Sequence, residues 1–506
     1  MAARIESLTA PVGGWNARDS LAEMPPGDAV FLTNFLPTPT ECRLRYGYSQ
    51  FSTGLPAQVE TIFAYAGAGT DKIFGVSNGS IYDCTAGGAV GAAAVAGMAN
   101  SRFQYVNMAT AGGNFLLAVN GANKMRYFDG TTWTADGGTF TVTVADTSNW
   151  TNMTIHKQRV WGIQSASLVG WYLPPSSISG AASKFDMSAF FKLGGTLVGI
   201  ETWTLDGGEG LDDYLVFMSS KGEALIYRGT DPSSVATWQM VGLYRIGSPV
   251  GTRCLYKYMG DVLVICQDGI VPLSTAIQSE RVQHSIAVSN KIMYAVSDAV
   301  SNYGSTFGWQ LLNFPKENQL ILNVPVSVGS QQQYVMNTIN QSWCNYTGWA
   351  ANCWELYKDS PYFGGNTFIG KAWDTNADNG SNINAIALQA FNRFETDAQK
   401  RLTMSRPIFR ATQTPSVLAA INVDYDQNDN TVALAFTPAA SGSVWDTGTW
   451  DNATWGSGNL LIFKNWQGAA GVGVAIAPMV KTASRGFDLR WDSTDLIFEV
   501  AKGTFI

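Results

Sequence analysis

Histidine, paired cysteine and charge are all scarce in this chain of 506 residues. There are two histidines, His156 and His284, and six cysteines that lie far apart with no Cys-x-x-Cys pair. A His-based metal site or a Ser-His-Asp triad would need the two histidines to converge with partners that the sequence around them does not offer. We therefore interpret both histidines as structural, and we expect free thiols rather than zinc ligands or a dense disulfide framework.

Charged residues make up only 14% of the chain, and the net charge is −7. Proteins that grip nucleic acid need clustered Lys and Arg, so this balance argues against tight phosphate binding, although not against a surface past which DNA slides. No apolar run has the length of a signal peptide or a membrane span, so we expect no export or insertion by a standard route. Aromatic residues reach 12%, with 52 Gly, which favours a mostly β protein.

Motifs for phosphate and calcium are incomplete. The stretch "GGAVGAAAVAG" lacks the Lys-Ser/Thr of a phosphate loop. The acidic runs "DTNADNG", from Asp374, and "DYDQNDN", from Asp424, place Ala385 and Ala435 where a calcium loop needs a bidentate Glu. We expect solvated turns at both runs and no cofactor.

Tight-turn signals recur at regular spacing along the middle of the chain. Two apolar runs joined by such a turn specify a β-hairpin, and the signals stand at 78–79, 120–121, 221–222, 268–269 and 365–366. The steps from Gly79 are 42, 101, 47 and 96 residues, so each long step predicts a missed unit, with turns near 165–167 and 315–318. A period of roughly 42 to 56 residues with about four strands per unit is typical of β-propeller blades.

Three regions follow from this pattern. Residues 55–401 are predicted to form a β-propeller of about six to eight blades, the alternative being an irregular double sandwich with coincidentally spaced hairpins. Residues 402–506, in which "INVDY" and "TVALAF" resemble strands, are predicted to form a small C-terminal β domain. Residues 1–54 are predicted to be an N-terminal arm. The predicted fold class is all-β.

The arm contains a dense cluster of helix signals in "MPPGDAVFLTNFLP". Pro25 and Pro26 fix the incoming chain, Asp28 can cap a helix, residues 29–35 supply about two apolar turns, and Pro37 ends them. This pattern predicts a short anchored helix. Such an arm either caps the open end of the following domain or docks onto another subunit, because arms of this kind have few local partners.

A tryptophan repeat stands near the C-terminus in "WDTGTWDNATW". Trp445, Trp450 and Trp455 recur every five residues, a period that fits neither strand nor helix. Repeated turns would place the indoles on one side, either packed under a loop or exposed as a rim that binds sugar or protein. The Asp-rich turns "DGTTW" and "DTGTW" are similar to those of sialidase-type propellers, but a glycosidase also needs converging carboxylates that one sequence cannot establish. We expect no enzyme activity.

Both ends of the chain resemble a known family. The segments are "PVGGWNARDSLAEMPPGDAVFLTNFLP…RLRYGY", "RPIFRA…INVDYD", the Trp pentads and "NWQGAAGVGVAIAP…LRWDSTDLIFEV", with a looser match in the repeating middle. They are similar to the nozzle, or tail tubular, proteins of short-tailed bacteriophages. The resemblance implies a structural virion protein of the phage tail, assembled in the host cytoplasm, with a propeller-containing subunit usually present as six copies in a ring below the portal and adaptor.

The resemblance also implies partners and contact residues. Tail adaptor and portal-proximal proteins, tail fibres or a tip, the host cell surface, and DNA that passes without specific binding are the expected partners. The expected subunit contacts are Trp15, Arg18, Pro25, Pro26, Phe35, Arg43 and Arg45. Six chains would carry a net charge of roughly −42, and an acidic lumen lets DNA pass unheld. The alternatives are a tail-associated receptor that binds glycan through propeller loops and Trp pentads, and a propeller glycosidase.

Overall fold

Short strands and tight turns dominate the computed structural model, which describes residues 3–206, 211–278, 287–327, 329–436 and 460–501. The turn chemistry explains the hairpins: Asn78 and Gly79 have φ of 48° and 66°, the paired left-handed values that a two-residue hairpin turn requires. Apolar residues on the flanking strands are buried on both faces, because each sheet packs between two neighbours.

Seven antiparallel sheets, here called blades 1 to 7, follow one another along the chain. Their strands are, for blade 1, Val59–Tyr65, Lys72–Ser77 and Ser80–Asp83; for blade 2, Gln104–Thr110, Gly113–Val119, Arg126–Phe128 and Trp133–Ala135; for blade 3, Trp150–His156, Arg159–Gln164, Val169–Tyr172 and Ser183–Asp186; for blade 4, Leu197–Asp206, Leu211–Ser219, Glu223–Gly229 and Trp238–Arg245; for blade 5, Leu255–Tyr258, Asp261–Cys266 and Gly269–Pro272; for blade 6, Gln310–Phe314, Gln319–Ser327, Ser330–Asn337 and Trp343–Tyr346; and for blade 7, Cys353–Tyr357, Ser360–Gly364 and Phe368–Ala372. The prediction of an all-β propeller with about six to eight blades is confirmed, and the described residues form seven blades.

Blade 7 takes its outer strand from the N-terminal side of the propeller. Tyr48–Thr53 pairs antiparallel with Phe368–Ala372, and the first strand of blade 7 packs against the first strand of blade 1. The approach is close, because a Cβ atom on Gly364 would lie 2.3 Å from the carbonyl oxygen of Val59. The two ends of the propeller sequence therefore meet at one junction.

The predicted turns fall between the second and third strands in six blades. In blade 6 the turn at 315–318 instead joins the first and second strands, through a 3₁₀ turn Pro315–Glu317 and Asn318 at φ 55°. The turn between the second and third strands of that blade contains Gly329, at φ 76°. Its sequence, "SVGS", has no Asn-Gly or Asp-Gly pair. The sequence pattern therefore identifies the preceding hairpin of this blade, at 315–318, in place of the one at Gly329.

The sheet of blade 6 continues into a second body, here called the terminal sandwich, which is formed by residues 3–44, 383–436 and 460–501. Beyond Trp343–Tyr346 the ten-stranded sheet runs through Asp28–Thr33, Ile383–Gln389, Ile476–Ser484, Val417–Val423 and Val432–Ala433, with Gly14–Trp15 beside Asp28–Thr33. A single continuous sheet therefore links propeller and terminal sandwich.

An eight-stranded sheet forms the other layer of the terminal sandwich. Its strands are Leu461–Lys464, Lys400–Ala411, Leu489–Val500, Cys42–Leu44 and Phe35–Pro37 in order, with Ala3–Thr9 on Leu489–Val500, and with Gln467–Gly468 and Val472–Gly473 on Lys400–Ala411. Phe35, Phe409 and Trp491 from this sheet share one buried hydrophobic cluster with Ala387 and Val480 of the ten-stranded sheet. The cluster holds the two layers face to face.

The predicted helix in the N-terminal region is wrong, because residues 28–33 form the strand Asp28–Thr33. This strand pairs with Trp343–Tyr346 on one side and Ile383–Gln389 on the other, and Asn34, at φ 60°, interrupts the extended backbone before Phe35–Pro37 begins. Asp28 caps no helix; its carboxylate accepts hydrogen bonds from Lys291 Nζ at 2.6 Å and Asn16 Nδ2 at 2.8 Å. Tertiary pairing outweighs the local helix signals.

The three predicted regions are interwoven in space. The residues predicted as an arm supply strands to both sheets of the terminal sandwich and the strand Tyr48–Thr53 to blade 7. The predicted boundary near residue 402 lies inside the strand Lys400–Ala411, and the first C-terminal strand of the terminal sandwich is Ile383–Gln389.

The remaining elements are short. The helix Leu273–Gln278 follows blade 5, and Met293–Tyr303 packs Val296 and Ala299 into the hydrophobic cluster beside blade 6. Minor elements are the 3₁₀ turns Thr147–Asn149 and Asn290–Ile292, the strand pair Val142–Thr143 with Gly180–Ala181, and Gly88–Ala89 on Tyr48–Thr53. Among the described residues, no helix has the length and apolar character needed to cross a membrane. All six cysteines are buried free thiols.

Candidate functional site

A polar cavity lies where the first strands of the blades converge. It has a volume of about 460 Å³, and all seven blades contribute to its wall. The lining residues are Thr61, Ile62, Phe103, Gln104, Tyr105, Val106, Asn107, Asn152, Met153, Thr154, Ile155, Ile200, Glu201, Arg253, Leu255, Tyr256, Lys257, Gln310, Leu311, Trp354 and Glu355. The axis of a propeller is a common place for a binding site, because loops and inner strands of every blade reach it.

Glu355, on the first strand of blade 7, is the least compensated charge in this cavity. Its Oε1 accepts a hydrogen bond from the backbone N–H of Leu356 at 3.1 Å. Burial raises the pKa of the Glu355 carboxyl to about 7, against smaller opposing effects of Tyr105, the Leu356 N–H and Arg253. Within the described part of the chain, no basic side chain lies within ion-pair distance of this carboxylate.

Arg253, just before blade 5, reaches across the cavity to other blades. Its Nη2 donates to the carbonyl oxygens of Glu60 and Phe103, both at 3.1 Å, and to Thr61 Oγ1 at 3.0 Å. Its Nη1 donates to Gln310 Oε1 at 3.1 Å. The guanidinium group thus links blade 5 to blades 1, 2 and 6, and burial lowers its pKa.

Glu201, on blade 4, is the other carboxylate of the cavity, and its Oε1 has several partners. Lys257 Nζ lies 3.0 Å from its Oε1, Thr154 Oγ1 donates to the same oxygen at 3.0 Å, and the Thr202 N–H donates at 2.8 Å. The contrast with Glu355 is direct, because one carboxylate has a cation and two donors while the other has no cation.

Neither Arg253 nor Glu355 was identified from the sequence. Each stands alone in a strand sequence, "GTRCLYKY" and "CWELY", without a motif. The only available signal was a charged residue among apolar strand positions, which burial makes costly unless it has a partner or a role.

Four of the predicted subunit-contact residues contact other parts of their own chain. Trp15 packs edge-on against Tyr334 of blade 6 at 5.2 Å between ring centroids, and Phe35 is fully buried in the terminal sandwich. Arg43 pairs with Glu317 of blade 6 at 2.8 Å. Phe35 is covered by its own chain in this fold, so it is not available as a surface contact.

Arg45 is also internal, and it is 1% exposed. Its Nη1 and Nη2 donate to the two carboxylate oxygens of Asp378 at 2.8 and 2.7 Å, its Nε donates to Asn34 Oδ1 at 2.8 Å, and the guanidinium lies 4.7 Å from the Trp349 ring centroid. This network joins the N-terminal segment to the loop after blade 7. The sequence predicted a subunit contact at Arg45, whereas in this fold Arg45 forms an internal ion pair.

The other three predicted contact residues are at the surface. Pro25 and Pro26 are exposed, and Arg18, paired with Asp19 at 2.7 Å, keeps 38% of its side chain exposed. Arg18 and Pro25 line a groove of about 750 Å³ between the N-terminal segment and blades 5 and 6, here called the N-terminal groove. Its wall also contains Met259, which is 76% exposed.

Of the remaining candidate residues from the sequence, one is a buried histidine, and the others lie outside the described residues. His156 is buried against Trp238, and burial lowers its pKa to about 4. Trp445, Trp450, Trp455 and His284 lie outside the described residues.

The two acidic runs use their carboxylates within the chain. Asp378 pairs with Arg45, and Asp374 lies 2.8 Å from Lys371 Nζ. Asp424 accepts hydrogen bonds from the N–H groups of Val474 and Ala475. In the described ranges, no group of three His, Cys, Asp or Glu side chains is placed to hold a metal ion.

Comparison with known proteins adds structural likeness alone. No protein-family model matches this chain, and no curated protein sequence does. Among solved structures, the chain is similar to BBS1N in complex with ARL6DN, soaked with mercury, at 10% identity over 65% of this chain and 97% of that one, with a TM-score of 0.39. It is also similar to the Myceliophteria thermophila Cps50 (Swd1) β-propeller domain, at 12% identity, 64% and 95% coverage and a TM-score of 0.37. A third is YCF48 bound to D1 peptide, at 10% identity, 66% and 98% coverage and a TM-score of 0.36. Likeness at these scores carries no argument about function.

Proposed function

We propose that this protein is a structural virion protein, the nozzle subunit of a short phage tail that forms the distal channel for DNA ejection. The observation that carries the proposal is where the family-like segments lie. Residues 11–37 and 43–48 lie near one end of the sequence and residues 406–411, 421–426, 465–478 and 489–500 near the other, yet they meet in and beside the terminal sandwich. Segments that resemble one family and come together in one body are what a shared assembly module would produce.

The continuous sheet between propeller and terminal sandwich supports a mechanical role for this subunit. Ten strands hydrogen-bond in one sheet across the two bodies, and a polar network around Arg45 and Asp378 reinforces the contact. A subunit that withstands DNA pressure needs rigid coupling between its parts, because a flexible linker would let them separate under load.

In this proposal DNA passes along the axis of a ring of subunits and not through one propeller. The propeller cavity is too small for a duplex, and Arg253 crosses it. The chain's charge of −7 would give the ring an acidic lumen past which DNA slides. The N-terminal groove, with Arg18 and Pro25 in its wall, is the proposed contact with a neighbouring subunit or the tail adaptor.

Assembly is the test of this function. We expect the purified chain to form a ring, alone or on its phage's adaptor and portal, in native mass spectrometry and negative-stain images. Arg18→Glu and Pro25→Arg should weaken assembly by about tenfold or more, because the first reverses a charge in the contact and the second adds one. Arg228→Glu, an exposed arginine on blade 4, is the matched control. Deleting residues 1–50 would remove core strands, so point substitutions are the sharper test.

One result would contradict the nozzle role, and another would contradict only the proposed contact. A chain that stays monomeric with adaptor and portal present would overturn the nozzle role, and glycan binding by that monomer would support the tail-associated receptor instead. A ring that assembles equally well in both groove variants and in the control would leave the nozzle role in place but move the contact away from the N-terminal groove.

A further inference from the structure

The central cavity is large enough for a small molecule, and its wall contains one carboxylate without a cation in contact. Its volume of about 460 Å³ lies within the range of small-molecule sites. Its wall combines apolar side chains, among them Ile62, Ile155 and Leu311, with the carboxylate of Glu355. A molecule with a short apolar part and a charged end would find both kinds of contact there.

The hydrogen bonding of Glu355 leaves acceptor positions unused. A carboxylate offers about four acceptor positions; the Leu356 N–H occupies one at 3.1 Å, and a hydrogen bond from the Tyr105 hydroxyl takes a second. Arg253 cannot serve as a partner in its present position, because its two terminal nitrogens donate to blades 1, 2 and 6. Lys257 is held by Glu201 at 3.0 Å. Glu355 therefore has no cation in direct contact among the described residues, and the charge of Arg253 acts on it only from a distance.

The chemistry favours an organic cation over a metal ion. Glu355 is the one carboxylate of the cavity without a cation, and a divalent metal needs several oxygen ligands at once. An ammonium group needs one good anionic acceptor and tolerates weaker ones beside it.

We propose that the central cavity binds a small organic cation with a primary ammonium group, which pairs with the carboxylate of Glu355 while its carbon chain contacts the apolar wall. The site is independent of the surfaces proposed for ring assembly, because its lining lies inside one propeller.

Glu355 is the group in this set that titrates near neutral pH. The groups that interact with it are Tyr105 on blade 2, Arg253 before blade 5, Tyr256 on blade 5 and Cys353 on blade 7. Burial raises the pKa of Tyr105, Tyr256 and Cys353, so these three stay neutral below pH 8. Arg253 stays charged. Binding of a cation should therefore strengthen as Glu355 loses its proton.

Calorimetric titration with n-butylammonium, and with n-butanol as the neutral probe of the same shape, tests the site. We expect n-butylammonium to bind about tenfold more tightly at pH 8 than at pH 6, following the ionised fraction of Glu355, and n-butanol to bind much more weakly at both. Glu355→Gln should weaken n-butylammonium binding by about tenfold or more, because it removes the charge at constant shape. Glu23→Gln, at an exposed position, is the matched control and should change nothing.

Several results would contradict cation binding in the central cavity. It is overturned if n-butanol binds as tightly as n-butylammonium, if Glu355→Gln binds like the unmodified chain, or if calcium binds where n-butylammonium does not. Should Glu355→Gln fail to fold, the pH series on the unmodified chain decides alone, and equal affinity at pH 6 and pH 8 rejects the site.

Discussion

Arg45 carries a buried positive charge that one carboxylate neutralises. Arg45 donates two hydrogen bonds to Asp378, and the two side chains are 0% and 12% exposed, respectively. Removing one partner leaves the other charge uncompensated in a site that water barely reaches. We expect Arg45→Met to lower the free energy of unfolding by about 3–5 kcal/mol, measured by urea denaturation.

The control for Arg45 is a pair of the same type in water. Lys184 and Asp186 lie 2.9 Å apart, with side chains 52% and 48% exposed, so Lys184→Met should cost less than about 1 kcal/mol. The double variant Arg45→Met with Asp378→Asn should lose less than the two single losses added together. Equal effects of Arg45→Met and Lys184→Met would show that the buried pair does not stabilise this junction.

Residue-level prediction succeeded where chemistry is local and failed where it is not. The Asn-Gly turn at 78–79 adopts left-handed φ values that its own residues favour. The roles of Arg45 and Glu355 depend on Asp378, 333 positions away, and on a cavity assembled from seven blades. No local pattern around either residue carries that information.

Blades 7 and 1 pack so closely at their junction that the strand at Gly364 has no space for a side chain. Gly364, in the second strand of blade 7, faces Val59 O and Cys353 Sγ, which would lie 2.3 and 2.7 Å from an added Cβ atom. Both contacts are with well-packed groups, so a side chain there must push the blades apart.

We expect Gly364→Ala to destabilise the protein by about 1–3 kcal/mol, with a lower midpoint of thermal unfolding. Gly91→Ala is the matched control, because a Cβ atom at Gly91 would meet nothing within 4 Å. A Gly364→Ala protein as stable as the Gly91→Ala protein would mean that the blades separate at this junction without cost.

The sequence predicts that hairpins form better than it predicts which distant strands pair with each other. The regular hairpins identify blade-like units because each hairpin is closed by its own turn. Asp28–Thr33 was assigned to a helix because its flanking prolines and Asp28 fit helix rules, whereas its actual neighbours, Trp343–Tyr346 and Ile383–Gln389, are more than 300 residues away. Strand pairing of that range leaves no periodic trace in one segment.

At the scale of the whole molecule, propeller and terminal sandwich share one sheet and one hydrophobic cluster. Blade 6 contributes Leu312 and Val335 to the cluster that contains Phe409 and Trp491 of the terminal sandwich. Loss of either body exposes the sheet edge and apolar surface of the other.

We therefore expect one calorimetric unfolding transition for the monomeric chain, with equal calorimetric and van't Hoff enthalpies. Trp491→Ala, a change in the terminal sandwich alone, should lower the unfolding midpoint reported by probes in both bodies. Val241→Ala, a partly exposed position on blade 4, is the control. Two separate transitions, with only one moved by Trp491→Ala, would show that the bodies fold independently.

By itself the sequence determined the all-β class, the blade period and six of the seven blade turns, because these follow from backbone preferences within a few residues. Only the tertiary structure decided that Ala3–Thr9 pairs with Leu489–Val500, that Tyr48–Thr53 completes blade 7, and that Arg253 and Glu355 share a cavity. Those arrangements join residues hundreds of positions apart, and they depend on which buried surfaces fit together rather than on the preference of any one segment.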